Sequence, residues 1–276
     1  MLEPAQTVVS TRINPGAFQR RKVRGLRAIA RGVGRALRQR RYDVAALTVA
    51  ADTLNLVEAR VGTMFAPRFR CSCCGEAAHA FWHVASGTRV AWNSACPSCD
   101  SRSRHRGLAV LLPELIAQHG PHRVLHFAPE PVLRPCFDVP GLTYETADLV
   151  LEDVTHRHAD VQALPFEAGR YDMIVCNHVL EHVPDDARAI GELHRMLSPR
   201  GIAVITVPGD FRRAETVHFT GELDNGHYRD YGLDFAQQLR ARFRTVTVID
   251  LHDFDRGDDG LSRAIRKLDL AFVCAP

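Results

Sequence analysis

Short apolar segments alternate with amphipathic ones from residue 107 to the end of the chain, and this alternation restricts the fold more than any other feature. The apolar segments have the length and residue types of strands: Arg123–Ala128, Leu142–Ala147, Tyr171–Cys176, Ile202–Val207, Thr245–Leu251 and Leu270–Cys274. Segments with helical spacing or capping residues lie between them, over Leu108–Gln118, Asp185–Leu197 and Asp234–Phe243. Near-continuous apolar strands separated by helices predict an α/β fold with a mostly parallel sheet that is covered on both faces.

The cysteines are concentrated in one short stretch. Five of the eight lie within 29 residues, and four of these form two CxxC pairs, Cys71/Cys74 and Cys96/Cys99, with 21 residues between the pairs. Two thiolate pairs on tight turns can close the tetrahedral four-cysteine site that Zn²⁺ favours, and one hairpin fits between them. Four thiolates leave no open position, so the spacing predicts a structural zinc and no catalysis at the metal. Cys73 is then a spare thiol.

Two other interpretations of this stretch stay open. A redox CxxC is less suitable, because there are two such pairs and the surroundings are not thioredoxin-like. A mixed ligand set is the second alternative, since His79, His83 and His105 lie nearby. The remaining cysteines stand in apolar contexts, where a buried, inert thiol is the usual state: Cys136, Cys176 and Cys274.

Positive charge is concentrated at the start of the chain. Residues 1–41 carry 11 Lys and Arg against one acid, whereas the remainder carries 24 against 31. Apolar and Arg residues alternate at helical spacing over Leu26–Arg38, which predicts a basic amphipathic helix. The arm either contacts nucleic acid, an acidic partner or, through residues 12–41, an anionic membrane surface, or it is a solvated terminus.

Composition and hydropathy narrow the class of protein. With 46% hydrophobic and 24% charged residues, the chain is typical of a globular protein and unlike a collagen-like chain, a coiled coil or a disordered tail. No uncharged apolar run approaches 18 residues, so no transmembrane segment is expected. The first residues lack the features of a secretory signal, and eight cysteines are too few for a disulfide scaffold, so we expect a cytoplasmic location.

These patterns divide the chain into three expected parts. Residues 1–66 form a basic helical N-terminal arm, with a second helix expected over Val44–Val61. Residues 67–106 form a four-cysteine module, and residues 107–276 form the α/β domain. The module ends in the basic run Ser101–Arg106, which is either a binding segment for phosphate or an anionic substrate, or the polar end of a helix.

Two motifs at the ends of predicted strands carry a family resemblance. Arg123–Glu130 reads RVLHFAPE and Tyr171–Asp186 reads YDMIVCNHVLEHVPDD. Together they resemble class I S-adenosylmethionine-dependent methyltransferases. The nearer similarity is to a bacterial group, methyltransferase type 11-like, with an HFAPE first motif and a preceding zinc-ribbon-like module. The resemblance covers residues 71–276 and includes three further motifs in order: Asp160–Phe166, Met196–Gly201 and His227–Gly232.

The resemblance implies a Rossmann-like, doubly wound sheet of seven strands that binds S-adenosylmethionine at the carboxyl ends of its strands. Asp148, where the second strand ends, would accept hydrogen bonds from the ribose hydroxyls. Asp160, with Val161 beside it, would lie at the adenine, and Asn177 and His178 would line the cleft near the methyl donor. Asp148 also suits an ordinary turn or helix cap.

The first motif departs from the usual pattern of the family. It would contribute His126, Ala128 and Glu130 to the cofactor site, but a Gly-rich turn is common at this point because the backbone must approach the cofactor closely. Here Ala128 adds a methyl group and Pro129 removes an N–H donor. The suspected group shares this turn, so cofactor binding is still expected.

Methyl transfer needs a base only when the acceptor carries a proton that must leave. His182 is the first candidate, because imidazole titrates near neutral pH, and Glu181 and His227 come next. A histidine satisfied by the backbone at a helix start is the ordinary alternative for His182. His227 and Tyr228 precede the late helix, a region that often covers the acceptor in this fold.

The functional expectation is a methyltransferase with a structural zinc, acting on a small-molecule or glycan-type acceptor. An RNA methyltransferase that grips phosphates with the zinc module and the basic arm is the alternative. The chain offers few aromatic side chains there for stacking on bases: Phe18, Tyr42, Phe65, Phe69, Phe81 and Trp92. The third possibility is a catalytically silent binding module that keeps the fold, supported only by the altered first motif.

Overall fold

The computed structural model describes residues 41–62, 64–86, 89–220, 226–255 and 268–276, together with residues 30, 33, 34, 37 and 38. Within these ranges the chain forms a small cysteine-bearing module and an α/β domain. None of the helices described is both long enough and apolar enough to cross a membrane.

A six-stranded, mostly parallel sheet forms the centre of the α/β domain, as the sequence predicts. Its strands are β5 (Arg123–Phe127), β6 (Thr143–Ala147), β7 (Tyr171–Asn177), β8 (Leu197–Thr206), β11 (Thr245–Asp250) and β12 (Leu270–Ala275). They lie side by side in the order β11–β12–β8–β7–β5–β6. Only β12 runs against its neighbours, since it pairs antiparallel with both β8 and β11.

The seventh strand that the resemblance implies is reduced to a single bridge among the described residues. His156 makes an isolated parallel bridge with Ala147 beside the edge strand β6. The backbone N–H of His156 donates to the Thr146 carbonyl, and that of Asp148 donates to the His156 carbonyl. Six strands and this bridge therefore replace the expected seven.

Helices cover both faces of the sheet. The covering helices are α2 (Ser103–His119), α3 (Asp186–Met196) and α4 (Phe235–Arg240), with short 3-10 turns at Arg134–Phe137, Leu180–His182 and Leu251–Asp253. A further helix, α1 (Tyr42–Gly62), packs on the cysteine module instead. Leu108, Leu112 and Leu115 of α2 belong to the apolar cluster on one face. Leu193 of α3 and Leu239 of α4 belong to the cluster on the other. This arrangement buries the strands on both sides, which explains their continuous apolar sequence.

Several element ends differ from the sequence prediction. The helix α2 begins at Ser103 rather than Leu108, so the basic run at the end of the module is its first turn. The Asp185 side chain caps α3 as predicted by accepting from the Arg188 N–H, at 2.9 Å, but the helix ends at Met196. Leu197 already pairs with Tyr171 at the start of β8, through an irregular register that continues at Ile202. Long-range pairing thus overrides the local turn signal of the Pro-Arg-Gly sequence.

The cysteine module consists of two small antiparallel pairs of strands. Phe69–Arg70 (β1) pairs with Ala77–Ala78 (β2), and Trp82–Ser86 (β3) pairs with Arg89–Ala95 (β4). The second pair is the hairpin that the sequence predicts between the two CxxC turns. Helix α1 packs against it: the Asn55 amide donates to the His83 carbonyl at 2.9 Å and accepts from the His83 N–H at 2.8 Å.

Arg106 joins the module to the α/β domain. Its guanidinium is fully buried and forms a two-point ion pair with Asp255, at 3.0 and 2.8 Å. It also donates to the carbonyls of Ser94 and Ser101 at 2.9 and 3.0 Å and lies 3.8 Å from the centre of the Phe81 ring. Of the two interpretations of the basic run, Arg106 therefore fits the structural one.

Most of the N-terminal arm lies outside the described residues, and so does most of the basic helix predicted over Leu26–Arg38. The described residues of that stretch, 30, 33, 34, 37 and 38, are helical. The expectations that residues 12–41 contact a membrane surface or nucleic acid fall largely on the residues that are not described.

Candidate functional site

The ends of three adjacent parallel strands bring the residues of the predicted cofactor site to one edge of the sheet. Phe127 of β5 pairs in register with Ala147 of β6 and with Cys176 of β7. The next residues along each strand, Ala128, Asp148 and Asn177, are therefore neighbours. The Ala128 N–H donates to the Ala147 carbonyl at 2.9 Å, which holds the two turns together. Ligands of open α/β sheets bind at this edge.

Two residues at this edge have left-handed backbone conformations. Ala128 has φ of +49°, directly after β5, and His178 has φ of +51°, directly after β7. This region favours glycine, and an L-residue with a side chain pays roughly 1–2 kcal/mol there. Ala128 thus gives the first motif the sharp turn that a glycine gives elsewhere, in spite of its methyl group. Strain at the ends of adjacent strands is typical of functional sites.

Behind the Ala128 turn, Glu130 lies in a buried hydrogen-bonded network. Its Oε2 is 3.0 Å from His126 Nε2 and accepts from the Asn177 amide at 3.2 Å. The other ring nitrogen of His126 lies 3.0 Å from the Tyr144 hydroxyl. When the carboxylate accepts from Nε2–H of a neutral His126 ring, Nδ1 is left as the acceptor for the Tyr144 hydroxyl. His126 is fully buried and both its nitrogens are used, so it acts at the cleft only by orienting Glu130.

The network keeps Glu130 ionised. Burial alone would raise the pKa of its carboxyl, but the hydrogen bonds from His126 and Asn177 lower the pKa below its ordinary value. His105, on the first turn of α2, lies with Nε2 3.6 Å from Glu130 Oε1. Burial, followed by the charge of Arg104, lowers the pKa of His105 well below the usual range, so this ring is neutral.

The two predicted acidic ligands each cap their own turn. Oδ1 of Asp148 accepts from the N–H groups of Val150 and Leu151 at 2.7 and 2.8 Å. Oδ1 of Asp160 accepts from the Gln162 N–H at 2.9 Å and from its side-chain amide at 3.1 Å. In both residues Oδ2 makes fewer or longer hydrogen bonds to the turn than Oδ1 does, so Oδ2 is the oxygen available to a bound ligand.

The Asp160 turn is held from behind by α3. The Glu192 carboxylate accepts from the Leu164 N–H at 3.0 Å, and Arg195 donates to the carbonyls of Leu164 and Phe166 at 3.2 and 2.7 Å. The two side chains also pair with each other at 2.8 Å. Val161, beside Asp160, is buried. The loop expected at the adenine is therefore fixed in position by α3.

The three predicted catalytic residues come together. One ligand atom from each of Glu181, His182 and His227 lies within 4.8 Å of the others. The rings of His182 and His227 meet edge to face, with their centres 4.7 Å apart. The His182 side chain is 45% exposed and that of Glu181 only 1%. The group thus has a buried carboxylate behind two accessible imidazoles.

Glu181 and His178 are both strongly affected by burial. Burial raises the pKa of the Glu181 carboxyl to about 7 and lowers the pKa of the His178 imidazole to about 3. His178 Nδ1 lies 3.2 Å from Glu181 Oε1, but neither carboxylate oxygen has a hydrogen-bond partner in the described part of the chain. An ionisable group with a perturbed pKa at the carboxyl edge of such a sheet is a candidate functional residue.

The four cysteines of the two CxxC turns also come together, as their spacing predicts. Their sulfur atoms lie within 4.8 Å of one another, and this group includes none of the histidines of the mixed-ligand alternative. The Cys71–Cys99 and Cys74–Cys96 sulfur atoms are 3.8 Å apart in each case. Tetrahedral Zn–S bonds of about 2.3 Å place sulfur atoms about 3.8 Å apart, so the arrangement fits zinc.

The two CxxC turns are built alike. In each, the N–H four residues after the first cysteine donates back to its carbonyl, from Gly75 at 2.8 Å and from Asp100 at 2.9 Å. Both residues have left-handed φ, +72° and +60°. The sequence points to this turn at Gly75 but not at Asp100. None of the eight cysteines, all of which are described, forms a disulfide.

Sequence reasoning left two cleft residues unassigned. Arg104 lies on the first turn of α2. Its positive charge adds to the effect of burial in lowering the pKa of His105, and to the effect of the hydrogen bonds from His126 and Asn177 in lowering the pKa of Glu130. Arg229 is buried and donates to the carbonyls of Leu180 and Pro184 at 3.0 and 2.7 Å. Both belong to basic motifs that the sequence shows, but the pattern does not say where their side chains lie.

A comparison with protein families matches the region that forms the cleft. Residues 123–205 match the family model described as "Methyltransferase domain". The match begins at the first residue of β5 and ends one residue before the end of β8. It includes the turn after β5, the Asp160 turn and the Glu181–His182 pair, but fewer than half of the 276 residues.

Curated relatives match a short stretch of the chain. Over 56 residues it is 34% identical to the ubiquinone biosynthesis O-methyltransferase of Psychrobacter cryohalolentis, which is 20% of this chain and 22% of that protein. Over 54 residues it is 37% identical to the demethylmenaquinone methyltransferase of Staphylococcus epidermidis, with the same two shares. The chain spans about a fifth of the length of these relatives.

Among solved structures, one neighbour is the Burkholderia thailandensis 1,6-didemethyltoxoflavin-N1-methyltransferase with bound 1,6-didemethyltoxoflavin and S-adenosylhomocysteine. It is 18% identical with a TM-score of 0.43, over 62% of this chain and 77% of that one. The [4+2]-cyclase SpnF is 17% identical with a TM-score of 0.44, over 61% and 82%.

Proposed function

We propose that this protein is an S-adenosylmethionine-dependent methyltransferase that acts in the cytoplasm on a small-molecule or glycan-type acceptor. The observation that carries the proposal is the carboxyl edge of β5, β6 and β7, where Ala128, Asp148 and Asn177 meet within the stretch that matches a methyltransferase domain. The three-part division at residues 66 and 106 belongs to the same proposal, with the α/β part as the catalytic domain.

The residues at this edge fit the cofactor. The left-handed turn at Ala128 supports close approach of a ligand to the backbone, as a Gly-rich turn does. Asp148 keeps Oδ2 for the ribose hydroxyls, and Asp160, beside the buried Val161, is available to the adenine amino group. The ionised Glu130, with Asn177 and His178 alongside, suits the ammonium group at the amino-acid end of the cofactor. When bound, the cofactor supplies a methyl group on a sulfonium, a good leaving centre.

The names of the short-stretch relatives favour a small acceptor. Ubiquinone biosynthesis O-methyltransferase and demethylmenaquinone methyltransferase are both named for small-molecule chemistry. The RNA alternative has no comparable support, since the basic arm on which it depends lies largely outside the described residues.

The acceptor is proposed to bind against the group formed by Glu181, His182 and His227. His182 is the most accessible of the three and is the first candidate to receive a proton from an acceptor that must lose one. The segment from His227 to Tyr228 would contact the acceptor, and the Tyr228 N–H donates to the Glu181 carbonyl at 2.7 Å.

The four-cysteine cluster is proposed to hold a structural zinc through Cys71, Cys74, Cys96 and Cys99. The Ser101 hydroxyl lies 3.2 Å from both Cys71 and Cys99 sulfur atoms, which suits a donor to metal-bound thiolates. The matched test replaces Cys96 or the buried Cys73 with serine. Metal analysis should find one zinc per chain in the parent and in Cys73→Ser, and a loss of zinc in Cys96→Ser. Equal zinc in both variants would remove this assignment.

Calorimetric titration with S-adenosylmethionine and S-adenosylhomocysteine tests the cofactor site. Micromolar binding is expected, and Asp148→Ala should weaken it at least tenfold because the ribose hydroxyls lose their acceptor. Asp153→Asn, an exposed acid of the same loop, serves as the control and should bind like the parent. Absence of binding in a folded, zinc-loaded protein would favour the silent binding module instead.

A further inference from the structure

We propose that Glu181, His182 and His227 form a binding site for one divalent transition-metal cation, separate from the cysteine cluster. One ligand atom from each residue lies within 4.8 Å of the other two. Two imidazoles and one carboxylate are the donor set that first-row cations such as Mn²⁺, Fe²⁺, Co²⁺ and Zn²⁺ accept, with coordination positions left over. The four-cysteine cluster, in contrast, is closed.

The carboxylate of Glu181 is buried and poorly satisfied by the described side chains. Its side chain is 1% exposed, and the nearest histidine nitrogen, His178 Nδ1, lies 3.2 Å from Oε1 without the geometry of a hydrogen bond to either oxygen. A buried carboxylate without donors is costly, and natural proteins pair such a group or coordinate a metal with it. Glu181 is aimed at the two histidines, so a cation between the three side chains satisfies it.

The orientation of His182 also suits a ligand. Its Nδ1 lies 3.3 Å from the Gly226 carbonyl, and because a carbonyl only accepts, Nδ1 carries the hydrogen. In the neutral ring Nε2 then has the lone pair, and this atom lies 3.9 Å from Glu181 Oε1. Two acceptors facing each other at this distance call for a cation between them. An N–H bonded to a backbone carbonyl is the usual support of a metal-binding histidine.

The segments that carry the three ligands are fixed to each other. Arg229 is buried and bonds to the carbonyls of Leu180 and Pro184, on both sides of the Glu181–His182 pair. The Tyr228 N–H donates to the Glu181 carbonyl, next to His227. These bonds hold ligands from two distant parts of the sequence within reach. The exposed His182 ring can rotate to bring its nitrogen to the bond length of about 2.1 Å that such metals prefer.

This cation would lie at the acceptor end of the proposed active site, where water or an oxygen atom of an acceptor can take the open positions. With Nε2 on the cation, His182 would serve as a ligand and would not also receive the proton of the acceptor. In that respect it rests on the proposed function. Binding itself requires only the three side chains and does not depend on S-adenosylmethionine, so the two proposals can fail separately.

The test uses Mn²⁺, which thiolates hold poorly, on the full chain with its cysteine site loaded with zinc. Electron paramagnetic resonance of free Mn²⁺ counts the bound ions. We expect one Mn²⁺ per chain, and at least tenfold weaker binding in Glu181→Gln, His182→Gln and His227→Gln. His218→Gln, on β9 (Val217–His218) and outside the group, should bind like the parent. Saturating Mn²⁺ should raise the thermal midpoint of the parent and of His218→Gln only.

The outcomes separate the possibilities. Glu181→Gln removes a buried charge without removing a hydrogen bond, so it should fold, and His182→Gln at an exposed position is a second variant if it does not. No stoichiometric Mn²⁺ binding, or equal binding by all four variants, would overturn the inference, and a proton shared within the group would then take the place of the metal. Mn²⁺ binding without cofactor binding would leave this site intact and refute the proposed function.

Discussion

Replacement of Arg106 by methionine should destabilise the protein by about 4 kcal/mol. The change removes the Arg106 charge from beside the Asp255 carboxylate, which is 1% exposed, and removal of one partner of a buried ion pair costs about 3–5 kcal/mol. Loss of the donors to two carbonyls adds about 1 kcal/mol each, and the packing of the methionine side chain offsets part of this. The loss is a large part of the 5–15 kcal/mol that stabilises a typical domain.

Urea denaturation monitored by fluorescence and circular dichroism measures this effect. With a slope of about 2 kcal/mol per molar urea, a loss of 4 kcal/mol lowers the midpoint by about 2 M. The control is Arg212→Met, because Arg212 pairs with Asp210 at the same 2.8 Å but is 67% exposed, and it should leave the midpoint unchanged. The double variant Arg106→Met/Asp255→Leu removes both charges of this ion pair and should be more stable than Arg106→Met alone.

Two results would refute this reasoning. If Arg106→Met and Arg212→Met shift the midpoint equally, burial does not set the strength of the ion pair. If the double variant loses the sum of the two single losses, the cost does not come from the loss of the Arg106 charge beside Asp255. The remaining explanation would be a loss of packing against Phe81 alone.

Three further changes have expected outcomes. Ala128→Gly should raise the free energy of unfolding by about 0.5–1 kcal/mol because it relieves the strain of a left-handed backbone conformation. Ala189→Gly, inside α3, should lower the free energy of unfolding by about 1 kcal/mol or more. Denaturant titration distinguishes the two signs. The hydrogen bond from Arg195 holds the pKa of the Glu192 carboxyl below its usual 4.5. The stability that this pair contributes is therefore complete above pH 4.5 and is lost as the pH falls through the lowered pKa. Arg195→Gln should reduce the dependence of the free energy of unfolding on pH in this acidic range. Asn55→Ala should cost about 2 kcal/mol at the α1–β3 contact and increase amide hydrogen exchange in α1.

Local patterns predicted most of the α/β domain and the cluster of four cysteines. A strand that is buried on both faces is apolar along nearly its whole length, and β5 and β7 can be recognised in the sequence for that reason. The cluster of four cysteines is equally predictable from the sequence, because each CxxC turn is a local structure and its spacing places two sulfur atoms side by side.

Features that depend on distant partners were not predictable. The first residues of β8 read as a turn, but pairing of Leu197 with Tyr171 extends the strand. The buried positions of Arg106 and Arg229 depend on acceptors 149 and 49 residues away. The first motif lacks the usual glycine, which predicts strain there. The sequence does not indicate that Ala128 takes the left-handed conformation and so preserves the sharp turn after β5.

The first turn of α2 connects the cysteine cluster to the cleft, and this connection leads to a last prediction. The Ser101 carbonyl accepts from the Cys96 N–H at 2.9 Å and from Arg106 at 3.0 Å, so the second CxxC turn and the helix share one acceptor. The same turn carries His105, which faces Glu130. Loss of the proposed zinc through Cys96→Ser should therefore loosen this turn and weaken S-adenosylhomocysteine binding severalfold, although none of the four cysteines is itself a predicted cofactor ligand.

Cys73→Ser is the matched control, since Cys73 is buried in the same module but lies outside the four-sulfur group. It should keep both zinc and affinity. Hydrogen exchange should show faster exchange over the first turn of α2 in Cys96→Ser, with β5 and β7 protected as in the parent. If Cys96→Ser loses zinc and binds the cofactor product as tightly as the parent, the module and the cleft are independent. The module would then serve only the packing of α1 and the Arg106 junction.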